Sequence, residues 1–220
     1  MSASASTAEG SDRASRAAFL RGRLGSLLAV APLSVWTIAH LWNNLAAFKG
    51  AEAWQSEVTE YRHPIAFFGT LVIVMLPLVL HTIWGIGRLA SAKPNNVKYK
   101  HYANLKYALQ RLSAIGVLLF LGAHIWLALL DPRINHHKAE PFEHIAHEMH
   151  HHGPTTVVYV LGTLGVAYHL ANGLYSFAMG WGVVSSRRAL RRLDVGVILL
   201  FLALLAMSWG VIYALWSAGA

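Results

Sequence analysis

The sequence predicts an all-α membrane protein with five transmembrane helices, four of which form a core while the fifth packs at the periphery. Two observations favour this fold class. Hydrophobic residues make up 55% of the chain and charged residues only 13%, with a mean hydropathy of +0.44, whereas ordinary globular proteins contain about 25% charged residues. The apolar residues are also collected into long stretches, which is typical of membrane-spanning helices.

Five stretches have roughly the length of about 20 apolar residues that a helix needs to cross a bilayer. They cover residues 25–47, 65–87, 112–130, 155–183 and 195–217. Residues 1–24 are small, polar and basic and are expected to form a flexible tail, and residues 218–220 a short C-terminal end. The sequence therefore predicts one transmembrane domain over residues 25–217.

The basic residues are distributed unevenly between the two sides of these predicted spans. Of the 18 Lys and Arg residues, 14 lie in the N-terminal tail and in the loops 88–111 and 187–192, and 4 lie in the other loops. Because cytoplasmic loops carry the excess of Lys and Arg, the N-terminus is expected in the cytoplasm and the C-terminus outside. The net charge of +8 is thus a topology signal, and no nucleic-acid partner is expected.

Cysteine is absent from the chain. Disulfides, iron–sulfur clusters held by this chain and cysteine-based zinc sites are therefore excluded.

Four of the five spans contain one histidine each and no Asp, Glu, Lys or Arg. These residues are His40, His81, His124 and His169. Ionisable residues within the membrane are energetically unfavourable and usually functional. A single histidine could simply be hydrogen-bonded to a neighbouring helix, but one in each of four spans indicates a common function.

The depths of the histidines place them in two layers. At about 1.5 Å per residue, His40 and His124 lie about 14 and 10 Å from the outer ends of their spans. His81 and His169 lie about 25 and 22 Å from the same side. Two facing histidines at one depth can hold a haem iron from both sides, and bis-imidazole ligation suits electron transfer. Two stacked haems would then form an electron path across the membrane.

Small residues surround one histidine of the inner pair. Gly162, Gly165 and Gly173 share the helical face of His169, and Gly85 lies one turn after His81. They could leave room for a porphyrin, or they could serve the close helix packing that membrane helices use generally.

Several motifs around these histidines resemble one family, the single-chain dihaem cytochrome b subunit of succinate:quinone oxidoreductases and fumarate reductases (complex II). The resemblance covers about residues 19–217. The intervals between the four histidines, 41, 43 and 45 residues, are similar to the family's. So are RLGSLLAVAP before His40, QRLSAIG from Gln110 to Gly116, and HLANGLYSFAMGWG from His169 onward.

The resemblance implies a membrane anchor that carries two b haems, one held by His81 and His169 near the cytoplasm and one by His40 and His124 near the outside. It implies a flavoprotein and an iron–sulfur partner on the cytoplasmic face, a bacterial inner-membrane location, and exchange of electrons with a membrane quinone, usually menaquinone in this family. The chain itself has no cysteines, no GxGxxG motif and no soluble domain, so it does not oxidise succinate alone.

Two positions depart from the family pattern. Gly25 stands where the family commonly has a histidine before Ser26, so a polar group near the inner haem is missing. Ala167 stands two residues before His169, where some fumarate-reducing members have a glutamate. The resemblance makes that glutamate part of a transmembrane proton path, so its absence favours succinate oxidation, although fumarate reduction remains an alternative.

Further candidates surround the predicted haems. Haem propionates are anionic and need cationic or hydroxyl donors, which Arg23, Ser26, Arg111 and Ser113 could supply at the cytoplasmic edge. Quinone reduction consumes protons, and Glu57, Glu60 and His63 precede the second span at about the depth of the outer haem. A solvated loop is the favoured interpretation of this second group.

The outer loop 131–153, DPRINHHKAEPFEHIAHEMHHHG, contains seven histidines. Such a density can bind Zn²⁺, with His144 and His147 at helical i, i+3 spacing, or buffer protons. A polar surface loop is the favoured interpretation.

Two other functions compete with the complex II anchor. A cytochrome b subunit of a hydrogenase or nitrate reductase would also carry membrane histidines. A metal or proton transporter could use them as well, but it would usually add midplane carboxylates and internal repeats.

Overall fold

A computed structural model describes residues 15–20, 22–60, 64–91, 98 and 100–220. These residues form helices and connecting segments and contain no strand. Seven helices are named here in chain order. They are α1 (Ser15–Lys49), α2 (Ala51–Trp54, continued by a π-helical turn, Gln55–Thr59), α3 (Pro64–Ala90), α4 (Tyr102–Asn135), α5 (Phe142–His151), α6 (Gly153–Gly180) and α7 (Arg187–Ala218).

Five of these helices are long and apolar enough to cross a membrane, which confirms the predicted fold class. They are α1, α3, α4, α6 and α7. Two of them begin well before the predicted spans, α1 at Ser15 and α4 at Tyr102. The added turns are rich in Ala, Leu, Lys and Arg, which are strong helix formers, so the helices continue past the apolar stretch. The last part of the predicted tail 1–24 is therefore helical, and residues 1–14 lie outside the described part of the chain.

The long helices expose much of their apolar surface. Ile73 in α3 is 64% exposed, Leu119 in α4 71% and Leu199 in α7 62%. A protein in water rarely presents such large apolar patches, whereas a bilayer covers them with lipid tails. The chain is therefore a multi-pass membrane protein, with only narrow strips of each helix turned toward its neighbours.

The closest helix pair is α4 with α6, which run antiparallel. Gly162 of α6 receives the ring of Phe120, and a Cβ at this glycine would overlap that ring. One turn further along α6, a Cβ atom added at Gly165 would lie 3.7 Å from the backbone oxygen of Ser113. Gly162 therefore serves close helix packing, whereas a side chain at Gly165 would make an ordinary van der Waals contact with α4.

A π-helical turn, Ala29–Ser34, interrupts α1 at Pro32. Proline lacks the N–H that would bond the preceding turn, which explains why the regular ladder widens here. The same turn is in contact with α3. Closer to its N-terminus, α1 has Gly25 against the indole of Trp84, and a Cβ at position 25 would overlap that indole.

The prediction that residues 131–153 form a polar surface loop is partly wrong. Residues Phe142–His151 form the amphipathic helix α5, which buries one side against α7 and α6. Phe142, Ile145, Ala146 and Met149 are buried, and Met149 is fully inaccessible. Their i, i+3, i+4, i+7 spacing explains the burial, because these positions share one helical face.

The fifth span, α7, contributes no histidine and packs beside α6 and α5. Its buried residues all lie in its second half. They are Leu204, Ser208, Val211, Ile212, Ala214 and Leu215. At its end, Gly219 lies against the backbone of Ala146, and the ring of His150 stacks on Trp216 at 4.7 Å. We call this end of the bundle the α5 end, and the opposite end, with residues 100–106 and 187–192, the basic end.

The contact at Gly162 generates a stability prediction. Gly162→Ala is expected to lower the melting temperature of the detergent-solubilised protein, because the added methyl group overlaps Phe120 and overpacking costs about 1–3 kcal/mol. Gly196→Ala in α7 is the matched control, because open space surrounds Gly196 and alanine is the better helix former. Thermal unfolding followed by circular dichroism compares the two variants, and equal shifts would contradict the packing role.

Candidate functional site

The four histidines of the spans meet in two pairs. The ring centres of His40 and His124 are 6.0 Å apart with an angle of 68° between the ring planes. Those of His81 and His169 are 6.3 Å apart, also at 68°. The sequence predicted these two pairings from depth, and the ring contacts are those of the same two pairs.

The pairs lie at different levels of the bundle. His169 lies on α6, and Tyr159, which contacts His124, lies on the same helix ten residues earlier. Ten residues of α-helix rise about 15 Å, so this length separates the two levels along α6. The His40–His124 pair is toward the α5 end, and the His81–His169 pair is toward the basic end.

Polar side chains of α4 surround His169. Gln110 Nε2 lies 3.2 Å from His169 Nδ1 and donates to the backbone oxygen of His169 at 3.1 Å. Asn172 Nδ2 in turn donates to Gln110 Oε1 at 2.8 Å. Ser113 Oγ lies 3.4 Å from the same His169 Nδ1 and donates to the backbone oxygen of Gln110 at 3.0 Å. The ring of His169 is therefore oriented by the neighbouring helix.

His124 of α4 is in turn contacted by a side chain of α6. Its Nδ1 lies 3.1 Å from the hydroxyl of Tyr159 on α6. Phe120, one turn earlier on α4, stacks on the His124 ring at 5.4 Å and meets Tyr159 edge-on at 5.4 Å. Two aromatic rings and one hydroxyl thus fix the orientation of this imidazole.

His81 of α3 is held by the backbone of α1. Its Nδ1 donates to the carbonyl oxygen of Gly25 at 3.1 Å. Because a carbonyl can only accept, this contact requires the proton on Nδ1 and leaves the lone pair on Nε2. The indole of Trp84 occupies the space that a side chain at position 25 would need. Its ring is 5.9 Å from that of His81. The glycine thus contributes its carbonyl and room for an aromatic ring.

His40 finds its neighbours within α1. Its ring stacks on Trp36 at 4.6 Å. Asn44 Nδ2 donates to the backbone oxygen of His40 at 2.8 Å and lies 3.4 Å from His40 Nε2, which is long for a hydrogen bond. Trp54 Nε1 of α2 donates to Asn44 Oδ1 at 3.1 Å and fixes the amide.

Two of the predicted propionate donors, Arg23 and Ser26, lie where α1 meets the end of α6. Arg23 packs its guanidinium over the ring of Phe19 at 4.7 Å and against Gly180. Ser26 Oγ donates to the backbone oxygen of Arg23 at 2.7 Å and accepts from Trp181 Nε1 at 3.1 Å. They therefore lie at the basic end, one turn or less from the Gly25 carbonyl that holds His81.

The other two candidates lie on α4. The guanidinium of Arg111 stacks on the ring of Tyr107 at 3.3 Å, and its Nε is buried without a hydrogen-bond partner among the described residues. A buried cationic donor with an unused hydrogen fits an anionic group beside it. Ser113 instead faces His169, so its contact is with the imidazole and its role as a propionate donor stays a prediction.

The three predicted quinone or proton residues are not brought to the histidine pairs in the described part of the chain. Glu57 and Glu60 are exposed. His63 lies outside the described residues. The favoured interpretation of Glu57 and Glu60 as solvated residues is consistent with their exposure.

A buried carboxylate, that of Glu140, lies just before α5. Its side chain is 3% exposed, and its Oε1 is 2.6 Å from Nδ1 of His144, whose side chain is 48% exposed. The backbone oxygen of Glu140 accepts from Gln55 Nε2 at 3.1 Å, and Gln55 Oε1 accepts from the backbone N–H of Phe142 at 3.1 Å. Burial raises the pKa of the Glu140 carboxyl above its ordinary value of 4.5, against the opposing effect of His144.

The histidine-rich segment forms pairs rather than a metal centre. His144 pairs with Glu140 and not with His147, and the ring of His147 lies 4.5 Å from that of His151. Within the described ranges, no group of three or more His, Asp or Glu side chains is arranged to hold a metal ion.

Sequence reasoning missed the partners of the histidines, although the same depth arithmetic could have found two of them. Gln110 is a polar residue at the level of His169, and Tyr159 has its hydroxyl at the level of His124. Glu140 carried no such signal, because its burial depends on the packing of α5.

Two comparisons with known proteins identify the family of this chain. A family model described as the succinate dehydrogenase/fumarate reductase transmembrane subunit matches residues 90–208. The chain is also 31% identical over 202 residues to the succinate dehydrogenase cytochrome b558 subunit of Bacillus subtilis (strain 168). The aligned region covers 87% of this chain and 94% of that protein. With five apolar helices and a match over more than half its length, the chain belongs to the family of succinate dehydrogenase/fumarate reductase transmembrane subunits.

Proposed function

We propose that this chain is the dihaem cytochrome b anchor of a bacterial succinate dehydrogenase, and that it passes electrons between a cytoplasmic iron–sulfur subunit and a membrane quinone, menaquinone in particular. The observation that carries the proposal is the pairing of the four span histidines at two levels. The family membership supports the complex II anchor over a hydrogenase or nitrate reductase cytochrome and over a transporter.

The spacing would let the two imidazoles of each pair hold one haem iron between them. The ring centres are 6.0 and 6.3 Å apart. That leaves room for two metal–nitrogen bonds of about 2.0–2.1 Å.

The hydrogen bonds of the rings support binding through Nε2. In His81 and His124, Nδ1 is the atom directed at a protein oxygen. The Gly25 carbonyl requires an N–H at His81, and the Tyr159 hydroxyl can accept from His124. Such partners fix the tautomer and the ring orientation of a metal-bound imidazole. When bound, two b haems would supply one-electron carriers at these two levels.

The chain's own residues would then orient the cofactors and the substrate. Arg111, with its unused Nε, and Arg23 would bind propionates at the basic end, together with Ser26. Ala167, two residues before His169, is buried and carries no carboxylate, which supports succinate oxidation over the fumarate-reducing alternative.

The basic end is the proposed cytoplasmic face, where a flavoprotein and an iron–sulfur subunit would dock. The chain lacks cysteine and cannot hold an iron–sulfur cluster, so electrons must come from a partner. The excess of Lys and Arg at this end supports its cytoplasmic location and the placement of the α5 end outside the bacterial inner membrane.

The first prediction concerns haem content. A dithionite-reduced minus oxidised spectrum with pyridine-haem quantification should give two b haems per chain. His81→Leu or His169→Leu should remove the haem near the basic end, and His40→Leu or His124→Leu should remove the other. His101→Leu, at the exposed start of α4, is the control and should retain both.

Two outcomes would contradict the proposal. If His40→Leu and His81→Leu removed the same haem, the pairing would be wrong. If the wild-type chain from haem-replete cells contained no haem, the cytochrome function would be wrong, and the histidines would point to metal or proton transport.

The next prediction concerns the Tyr159 hydroxyl. Tyr159→Phe removes the partner of His124 Nδ1 and should raise the midpoint potential of the His40–His124 haem, because the imidazole becomes a weaker donor to iron. One hydrogen bond of about 0.5–1.5 kcal/mol corresponds to about 20–60 mV for one electron. Tyr213→Phe on the exposed face of α7 is the control. A redox titration that showed an equal shift of both haems would argue against this local contact.

A further inference from the structure

We propose that Glu140 and His144 form a proton-transfer pair that connects the surface at the α5 end with a quinone bound beside the His40–His124 pair. The inference rests on the proposed function, because it assumes that electrons reach a quinone at this level. It adds Glu140, which was not a candidate in the sequence, to His144, and it replaces Glu57 and Glu60, which lie exposed.

The first support is the burial of the Glu140 carboxyl. Its side chain is 3% exposed, and its Oε2 is buried without a hydrogen-bond partner among the described residues. A buried carboxylate oxygen without a donor is strongly unfavourable, whereas a protonated carboxyl is not. An oxygen that no described residue satisfies is free to exchange a proton with a bound substrate.

The second support is the connection to the surface. His144 holds Oε1 of Glu140 at 2.6 Å and exposes about half of its own side chain, 48%. Imidazole changes its charge near neutral pH and is therefore suited to move protons between water and a buried acid. Glu140 lies two residues before the start of α5 and His144 lies in its first turn, so the beginning of α5 keeps this contact short.

The third support is the connection inward. The backbone oxygen of Glu140 accepts from Gln55, and Trp54, the residue before Gln55, donates to the Asn44 amide that holds the backbone oxygen of His40. Glu140 is thus linked through α2 to the level of the His40–His124 pair. Gln55 fixes its position, because the amide of Gln55 bonds the backbone of both Glu140 and Phe142.

Other charged groups also face Glu140. Asp131 and His136, near the end of α4, act on it in opposite senses, and His144 acts from α5. Asp131 Oδ2 and His136 Nε2 are themselves 3.8 Å apart. His144 is the partner in direct contact.

The proton balance of the proposed step is simple. Reduction of a quinone takes up two electrons, delivered along the chain as proposed above, and two protons. An O–H bond forms at each quinone oxygen as an O–H bond of the Glu140 carboxyl breaks, and His144 restores each proton from the water outside. In the direction of quinol oxidation, Glu140 accepts the protons and His144 releases them.

Glu140→Gln in the intact complex tests the pair, because the amide preserves the shape and can still bond His144. We expect the rate of reduction of a short-chain naphthoquinone by succinate to fall by about 100-fold, a typical contribution of general acid catalysis. Haem content and the reduction of haem by succinate should stay unchanged. Glu143→Gln, exposed on the same helix, is the matched control and should keep the wild-type rate.

These measurements separate the two proposals. If succinate reduces no haem in the wild-type complex, the proposed function fails. If haem is reduced normally and Glu140→Gln still reduces quinone at the wild-type rate, the proton-transfer pair is overturned and the proposed function stands. His144→Gln should lower the same rate, and an unchanged rate in that variant would overturn the role of His144 as the surface connection.

The titration of Glu140 gives a test that does not depend on turnover. Its raised pKa means that the folded protein binds this proton more tightly than the unfolded chain. The carboxyl therefore destabilises the fold progressively as the pH rises from about 4.5 toward the raised value. The melting temperature of Glu140→Gln minus that of the wild type should increase over this range, whereas the same difference for Glu143→Gln should stay flat. A pH-independent difference for Glu140→Gln would contradict the proposal.

Discussion

The structure depends on the reciprocal contact between α4 and α6, in which each helix holds the histidine of the other. Gln110 and Ser113 of α4 contact His169, and Tyr159 of α6 contacts His124. A polar group inside the membrane needs a protein partner, because the lipid offers none. Antiparallel packing at one register satisfies both histidines at once, so a slip of either helix would leave two imidazoles without partners. The close approach of Phe120 to Gly162 fixes this register.

The two ends of the bundle are built by different means. At the α5 end, a dense apolar cluster that includes Trp54, Phe142, Met149 and Leu215 covers the His40–His124 pair. At the basic end, polar contacts dominate, such as the ion pair between Lys106 and Asp194 at 2.8 Å. A sealed end is suited to control the access of water and protons. A charged end is suited to contact a soluble partner, which agrees with the proposed functions of the two ends.

The fold class could be predicted because hydropathy and length decide which segments cross a bilayer. The histidine pairs could be predicted as well, because depth along a straight helix is a simple count of residues. The helix α5 was missed, although Phe142, Ile145, Ala146 and Met149 follow a helical repeat. The seven histidines of the segment 131–153 gave it a polar composition, which favoured a surface loop. The contact between Gly25 and Trp84 could not be predicted. It depends on the packing of α1 against α3, which brings the indole into the space beside the glycine.

The four histidines also differ in how far along the chain their partners lie. His81, His124 and His169 each bond a group on another helix, whereas His40 contacts Asn44 and Trp36 of its own helix. The orientation of His40 therefore depends on what fixes Asn44, which is the indole N–H of Trp54. Trp54 in turn packs edge-on against Phe142 at 5.6 Å, the first residue of α5. The helix that sequence reasoning assigned to the surface thus supports the one imidazole of the four that, among the described residues, has no hydrogen-bond partner on another span.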